Sequence, residues 1–236
     1  MNLKLNDLDV EVVKKDIKNV HLSVYPPKGR VKVSAPESMA IDTIRVFVIS
    51  KLAWIKKQQN KICSQEREAS REYLDRESHY FFGKRYLLKV VENKAPPIVK
   101  LKHNILELSI RPDTPLVKRQ AILYEWYRAQ MKLVLPDVIK KYEKLMGVEV
   151  SEFGIKRMKT KWGTCNPAAK RIWLNLELAK KPIECIEYIV VHEMSHLLER
   201  THNDRFVALM DRFMPKWRFY RDELNRLPVS HIDWKY

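Results

Sequence analysis

The sequence predicts an α+β protein with a β-rich N-terminal region and a helix-rich C-terminal one. Three observations carry this. Alternating apolar and polar runs dominate the first 113 residues. Two prolines and two small polar residues, Pro112-Asp113-Thr114-Pro115, then interrupt the pattern. Beyond them, apolar residues recur at helical spacing, and one such stretch is broken by two histidines and a glutamate.

Val20, Leu22 and Val24, then Val31, Val33 and Ala35, flank Pro26-Pro27-Lys28-Gly29 and read as a hairpin with a long turn. A helix follows through Ile41, Ile44, Val48, Leu52 and Ile55, with Ser38 or a neighbour as its cap. Tyr80–Phe82, Tyr86–Val91 and Ile105–Ile110 are strand-like again, so residues 1–113 read as a β-rich accessory region with one long helix and residues 114–236 as a second domain. In that domain a long helix runs from Ile122 to Leu145, with a bend expected at Pro136 and a stop near Gly147. Short strands are expected at Phe153–Arg157, at Trp162–Cys165 and at Ile172–Leu176. Pro182 opens an apolar helix, Asn203 caps another, and a last one starts at Pro215 and ends before Pro228. No internal repeat is visible in the sequence.

Composition narrows the function. The 236 residues include 5 glycines and 12 prolines, which argues against long low-complexity tracts. No segment has the roughly 18 consecutive apolar residues needed to span a bilayer, and no apolar run follows the N-terminal charges. Cys63, Cys165 and Cys185 are scattered without a C-x-x-C pair, so neither a disulfide framework nor a thiolate zinc site is indicated. A reducing cytoplasm is the expected setting. The formal charge of +16 is spread along the chain, and only Lys156-Arg157-Met158-Lys159-Thr160-Lys161 is dense enough to suggest a polyanion contact.

His192-Glu193-Met194-Ser195-His196 is the informative motif. Residues four apart on a helix lie about 6 Å apart along its axis on nearly one face, so both imidazoles can reach one zinc ion. Glu193, rotated by about 100° from His192, can approach a metal-activated water as general base. The pattern would occur in about 2% of shuffled chains of this composition, so the apolar, helix-forming flanks carry much of the inference. A catalytic zinc takes three protein ligands and keeps a position open. His202 is the leading third ligand, provided the chain turns at Arg200-Thr201, because an unbroken helix would carry it to the opposite face. Glu199 shares the helical face of both histidines but lies too far along the axis, and Glu223 on the last helix has no supporting motif. Tyr188, His231 and Arg157 are candidates for stabilising an oxyanion.

These residues resemble a known family. Trp162-Gly163-Thr164-Cys165, Ile172-Trp173-Leu174-Asn175, the helix from Tyr188 to Leu197, His202-Asn203 with Phe206, Pro215-Lys216-Trp217 and Arg221-Asp222-Glu223-Leu224-Asn225 are similar to the YgjP-like metallopeptidases, often labelled SprT-like zinc-dependent proteases. The likeness reaches Val31–Pro36 and Trp54-Ile55, and so covers nearly the whole chain. It departs at Thr164, where serine is commoner. The histidine spacing also fits the metzincin pattern, but Glu199 stands where that pattern has its glycine. The resemblance implies a zincin-type catalytic domain, Zn²⁺ held by His192, His196 and His202, Glu193 as the catalytic base, and a protein or peptide substrate. The alternative is a nucleic-acid-associated zinc protein, or a protease acting on DNA-bound proteins, which the basic charge and the analogy with other SprT-like proteases suggest.

Overall fold

The computed structural model describes residues 2–5, 7–25, 29–64, 71–158 and 161–226. They form two compact units, within 2–64 and 71–226. Among them are three small sheets, six α-helices and a short 3-10 helix, and no helix is long and apolar enough to cross a membrane.

The first unit is a four-stranded sheet of β1 (Asn2–Leu5), β2 (Leu8–Lys15), β3 (His21–Tyr25) and β4 (Arg30–Pro36), in the order β1-β2-β4-β3. β2 and β4 pair in parallel, and β1 and β3 flank them antiparallel. The alternation in β4 turns Val31, Val33 and Ala35 to one face. There they share a core with Ile44 and Val48 of α1 (Ile41–Ser50) and Ile55 of α2 (Leu52–Ser64). The expected single helix is thus two, separated at Lys51, and the N-cap position falls to Ala40, without a side-chain cap. The hairpin turn expected at 26–28 lies outside the described residues.

The second unit opens with the same topology. β5 (Ser78–Phe81), β6 (Lys84–Glu92), β7 (Ile98–Lys102) and β8 (Ile105–Ile110) are ordered β5-β6-β8-β7, again with a parallel central pair. The helix α3 (Leu116–Met146) follows. β2 begins at 8 and β6 at 84, β3 at 21 and β7 at 98, β4 at 30 and β8 at 105, α1 at 41 and α3 at 116, so each element recurs 75 to 77 positions later. The inward positions of β4 correspond to Leu106, Leu108 and Ile110 of β8, and Ser34 to Ser109. The repeat is one of topology, which the sequence reading missed.

This corrects the expected border at residue 113. Leu88, Leu106, Leu108 and Ile110 share one core with Leu123, Tyr127 and Met131 of α3 and with Val190 and Met194 further on. Pro112–Pro115 marks only a change from strand to helix, with Pro115 extended at the N-cap of α3. The helix continues through Pro136 and stops at Gly147, whose φ of 67° suits glycine.

Then come β9 (Glu152–Lys156), β10 (Gly163–Asn166) and β11 (Arg171–Asn175) in the order β10-β11-β9, so β10 is an edge strand. A 3-10 helix over Leu176–Lys180 leads to α4 (Ile183–Ser195), α5 (Asp204–Phe213) and α6 (Trp217–Arg226). Pro182 sits at the N-cap of α4 and Asn203 at that of α5, where its side chain accepts from the Phe206 N–H.

Candidate active site

The apolar face of α4, with Cys185, Ile186, Val190 and Met194, is buried. Burial fixes the rotation of this helix, and rotation fixes the direction of His192, Glu193 and, at its C-cap, His196. His192 and His196 point into a cleft of about 940 Å³, and Glu193, only 6% exposed, lines the same cleft. The helix ends by tightening: the N–H groups of His196, Leu197 and Leu198 donate to carbonyls three residues back. The chain then reverses, as the expected turn at Arg200-Thr201 requires, and returns His202 to the cleft.

The His202 Nε2 lies 3.1 Å from the Nε2 of both His192 and His196. Tetrahedral zinc with bonds of about 2.0–2.1 Å holds its nitrogens roughly 3.3–3.4 Å apart, so the cluster has the size of a metal site. Among the described residues these three histidines form a group that could hold a metal ion. Phe206 is their common floor, with its ring centroid 4.7–5.0 Å from all three imidazoles. The Asn203 cap and burial hold Phe206 in place, so the opening of α5 supports the cluster.

The His196 Nδ1–H donates to the Glu199 carbonyl at 3.1 Å, which leaves Nε2 with its lone pair directed into the cluster. Glu199 therefore meets the cluster through its backbone. Its carboxylate accepts from the Thr201 N–H and hydroxyl, at 3.2 Å each, and lies 3.9 Å from Arg205. Glu223 sits beside Cys185.

Electrostatics agree with this geometry. Burial lowers the His192 pKa to about 4, with further lowering from His196 and His202, and burial also lowers that of His196. Both are neutral near pH 7 and able to donate lone pairs. Burial pushes Glu193 up to about 8, opposed by the nearby Lys161 cation. A dication in the cluster would oppose it in the same sense.

The glycine of the Trp-Gly-Thr-Cys run has a physical reason. A Cβ at Gly163 would lie 2.6 Å from Glu193 Oε1 and 2.7 Å from its Cγ, so β10 comes against the carboxylate by having no side chain there. Trp162 and Cys165 pack against the core while also lining the cleft. Burial pushes the Cys165 thiol up to about 11, with Glu193 adding to the effect, and keeps it protonated.

Of the three candidates for oxyanion stabilisation, Tyr188 lines the cleft one turn before His192, its ring stacked on Trp217. Arg157 lies over the Tyr124 ring instead, and His231 is outside the described residues. In the basic segment, Lys156 lies over the Trp173 ring, Lys161 lines the cleft, and Lys159 and Thr160 are outside the described residues. Sequence reasoning missed the contact between Gly163 and Glu193, the Phe206 floor and the cleft position of Arg200. Of these, only Gly163 carries a sequence signal, since a glycine in a strand can mark a close backbone approach.

Two imidazoles and a buried carboxylate from one helix and its C-cap, with a third imidazole returned by the following turn, form a cluster that could hold a metal ion beside a carboxylate. The YgjP-like metallopeptidase domain profile matches residues 18–227, and the chain belongs to that family. Family membership makes it a metallopeptidase acting on protein or peptide substrates. Among solved structures, the metallopeptidase zymogen abylysin of Pyrococcus abyssi is 20% identical, covering 41% of this chain and 100% of its own, with a TM-score of 0.37. Comparison with curated proteins gave no match.

Proposed function

We propose that this chain is a zinc-dependent endopeptidase of zincin type, with His192, His196 and His202 as ligands and Glu193 as general base. The observation that carries the reading is the convergence of three Nε2 atoms beside a buried carboxylate in an open cleft. Among the described residues no fourth donor joins the three histidines, which suits a metal that keeps one position for the reaction. A zinc ion held by these three histidines would supply Lewis acidity, which would acidify a water and polarise a peptide carbonyl.

Glu193 accepts the proton of the attacking water and returns it to the leaving amine. Burial favours this role, because a carboxylate in an apolar setting is a stronger base than one in water. Tyr188, which lines the cleft, is the candidate to donate a hydroxyl proton to a developing oxyanion, and burial, which pushes its pKa to about 12, keeps that proton on the hydroxyl. The backbone of β10, an edge strand among the described residues and close to the carboxylate, offers an extended peptide a docking strand.

The test is Glu193→Gln. It preserves size and leaves the histidines intact, so zinc content should remain near one per chain while hydrolysis falls by about a hundredfold or more. Cleavage at the wild-type rate would remove Glu193 from the mechanism.

A further inference from the structure

The cleft is one-sided in exposed charge. Besides the three histidines, its charged lining is Lys161, Arg200 and Glu193, and the last is buried while the two cations are exposed. A substrate entering therefore meets two exposed cations and no exposed carboxylate.

Several other basic residues of this unit are engaged. Lys180 is 2.7 Å from Glu177, Lys141 is 2.9 Å from Glu187, and Arg171 is 3.2 Å from Glu152. Lys156 and Arg157 lie over aromatic rings. Among the described residues, neither Lys161 nor Arg200 has a carboxylate within ion-pair distance. The obvious partner for Arg200, Glu199, is occupied by Thr201 and Arg205.

Their placement is also built. The Lys161 carbonyl accepts from the side chain of Asn175 at 2.8 Å, the same amide nitrogen reaches the Met158 carbonyl at 2.9 Å, and the Asn175 N–H donates to the Trp162 carbonyl at 2.8 Å. Asn175 is 4% exposed, so one buried amide clamps the entry to β10 and fixes where Lys161 departs from the backbone. Arg200 lies on the turn between the second and third histidines, whose path Asn203 and the Glu199 contacts define. One cation thus stands on the sheet wall of the cleft and the other on the turn wall.

We propose that Lys161 and Arg200 form a carboxylate-recognising pair that selects substrates bearing negative charge near the scissile bond. This rests on the peptidase reading above. Arg200 can grip a carboxylate through two parallel N–H donors, and Lys161 adds a point charge. A charge-assisted hydrogen bond contributes enough to favour an acidic residue over its amide by about tenfold to a hundredfold. Acidic side chains and a free C-terminal carboxylate offer the same chemistry, so the test must separate them.

The zinc-loaded protein would digest a proteome-derived peptide library, with cleavage sites mapped by mass spectrometry. Asp and Glu should be enriched within a few residues of the cleaved bond. Peptides matched except for Glu or Gln at that position should differ about tenfold or more in kcat/KM. That ratio should collapse towards one in Lys161→Ala or Arg200→Ala, and Arg200→Glu should favour a Lys-bearing peptide. C-terminal amidation would abolish the preference if the chain terminus is the group recognised, and would leave it intact if side chains are.

A binding arm keeps the two readings apart. Fluorescence anisotropy of the same peptides on zinc-loaded Glu193→Gln needs no turnover. Tighter binding of the Glu peptide, lost with Arg200→Ala or in high salt, upholds the pair even if no peptide is ever cleaved, an outcome that would count against the peptidase reading alone. Equal binding of the Glu and Gln peptides, or an acidic preference that survives both alanine variants, overturns the proposal.

Discussion

Gly163→Ala is a small substitution with a large expected effect. The new Cβ would stand 2.6 Å from Glu193 Oε1, 2.7 Å from Cγ and 2.9 Å from Cδ, whereas ordinary contact begins at 3.4 Å. Restoring that contact requires a separation greater by ~0.8 Å, shared between the carboxylate and β10. Glu193 is buried, so it has little free space to enter. A misplacement of about 1 Å at a reacting group can lower the rate by about 10²-fold. The expected result is a fall in kcat/KM of roughly thirtyfold to a hundredfold, with zinc content unchanged because the histidines do not move. Overpacking should also cost about 1–3 kcal/mol of stability, read from thermal unfolding. Peptide hydrolysis, elemental analysis and a double-mutant cycle with Glu193→Gln form the assay. If Gly163 acts through the carboxylate, the alanine should cost little more once the base is gone. Losses that multiply across the two variants, or wild-type activity in Gly163→Ala, would refute the reasoning.

Two further outcomes are expected. His202→Ala should lower zinc content and affinity, since it removes one of three ligands, whereas Glu199→Ala should retain zinc because its carbonyl, not its carboxylate, meets His196; elemental analysis with the opposite pattern would exchange the two assignments. The thiolate is the reactive form of cysteine, so a thiol pKa pushed to about 11 leaves only about one part in a thousand of Cys165 ionised at pH 8, and Cys185, pushed to about 12, even less. Alkylation of the native protein at pH 8, mapped by mass spectrometry, should therefore modify exposed Cys63 first and reach Cys165 and Cys185 only as the pH rises towards their pKa values or the chain unfolds.

The candidate site was legible because its signal is local. His192, Glu193 and His196 lie within one helical turn, and the arithmetic of that turn already required a reversal before His202. The helix ends were legible too where a single residue type dictates them, as at Gly147, Pro182 and Asn203. What escaped depends on approach between distant segments. Gly163 contacts a residue thirty positions later, Phe206 is recognisable as a floor only once three imidazoles surround it, and Asn175 as a clamp only once the strand is folded. The unit border escaped for a related reason. Pro112–Pro115 is a strong local break, but burial of Leu106 and Leu108 with α3 crosses it, and core sharing has no local signature.

The recurrence of one strand order in both units has a consequence for folding. Two copies of a four-stranded sheet on one chain offer each strand a second partner of the right shape, and mispairing between copies is a characteristic trap for repeated domains. The copies are filled differently: β4 faces inward with Val31, Val33 and Ala35, β8 with the bulkier Leu106, Leu108 and Ile110. An exchanged strand would leave one core underfilled and the other crowded, each a penalty of kcal/mol scale. The divergence that hides the repetition from a reader of the sequence thus also keeps the two sheets from trading strands as the chain folds.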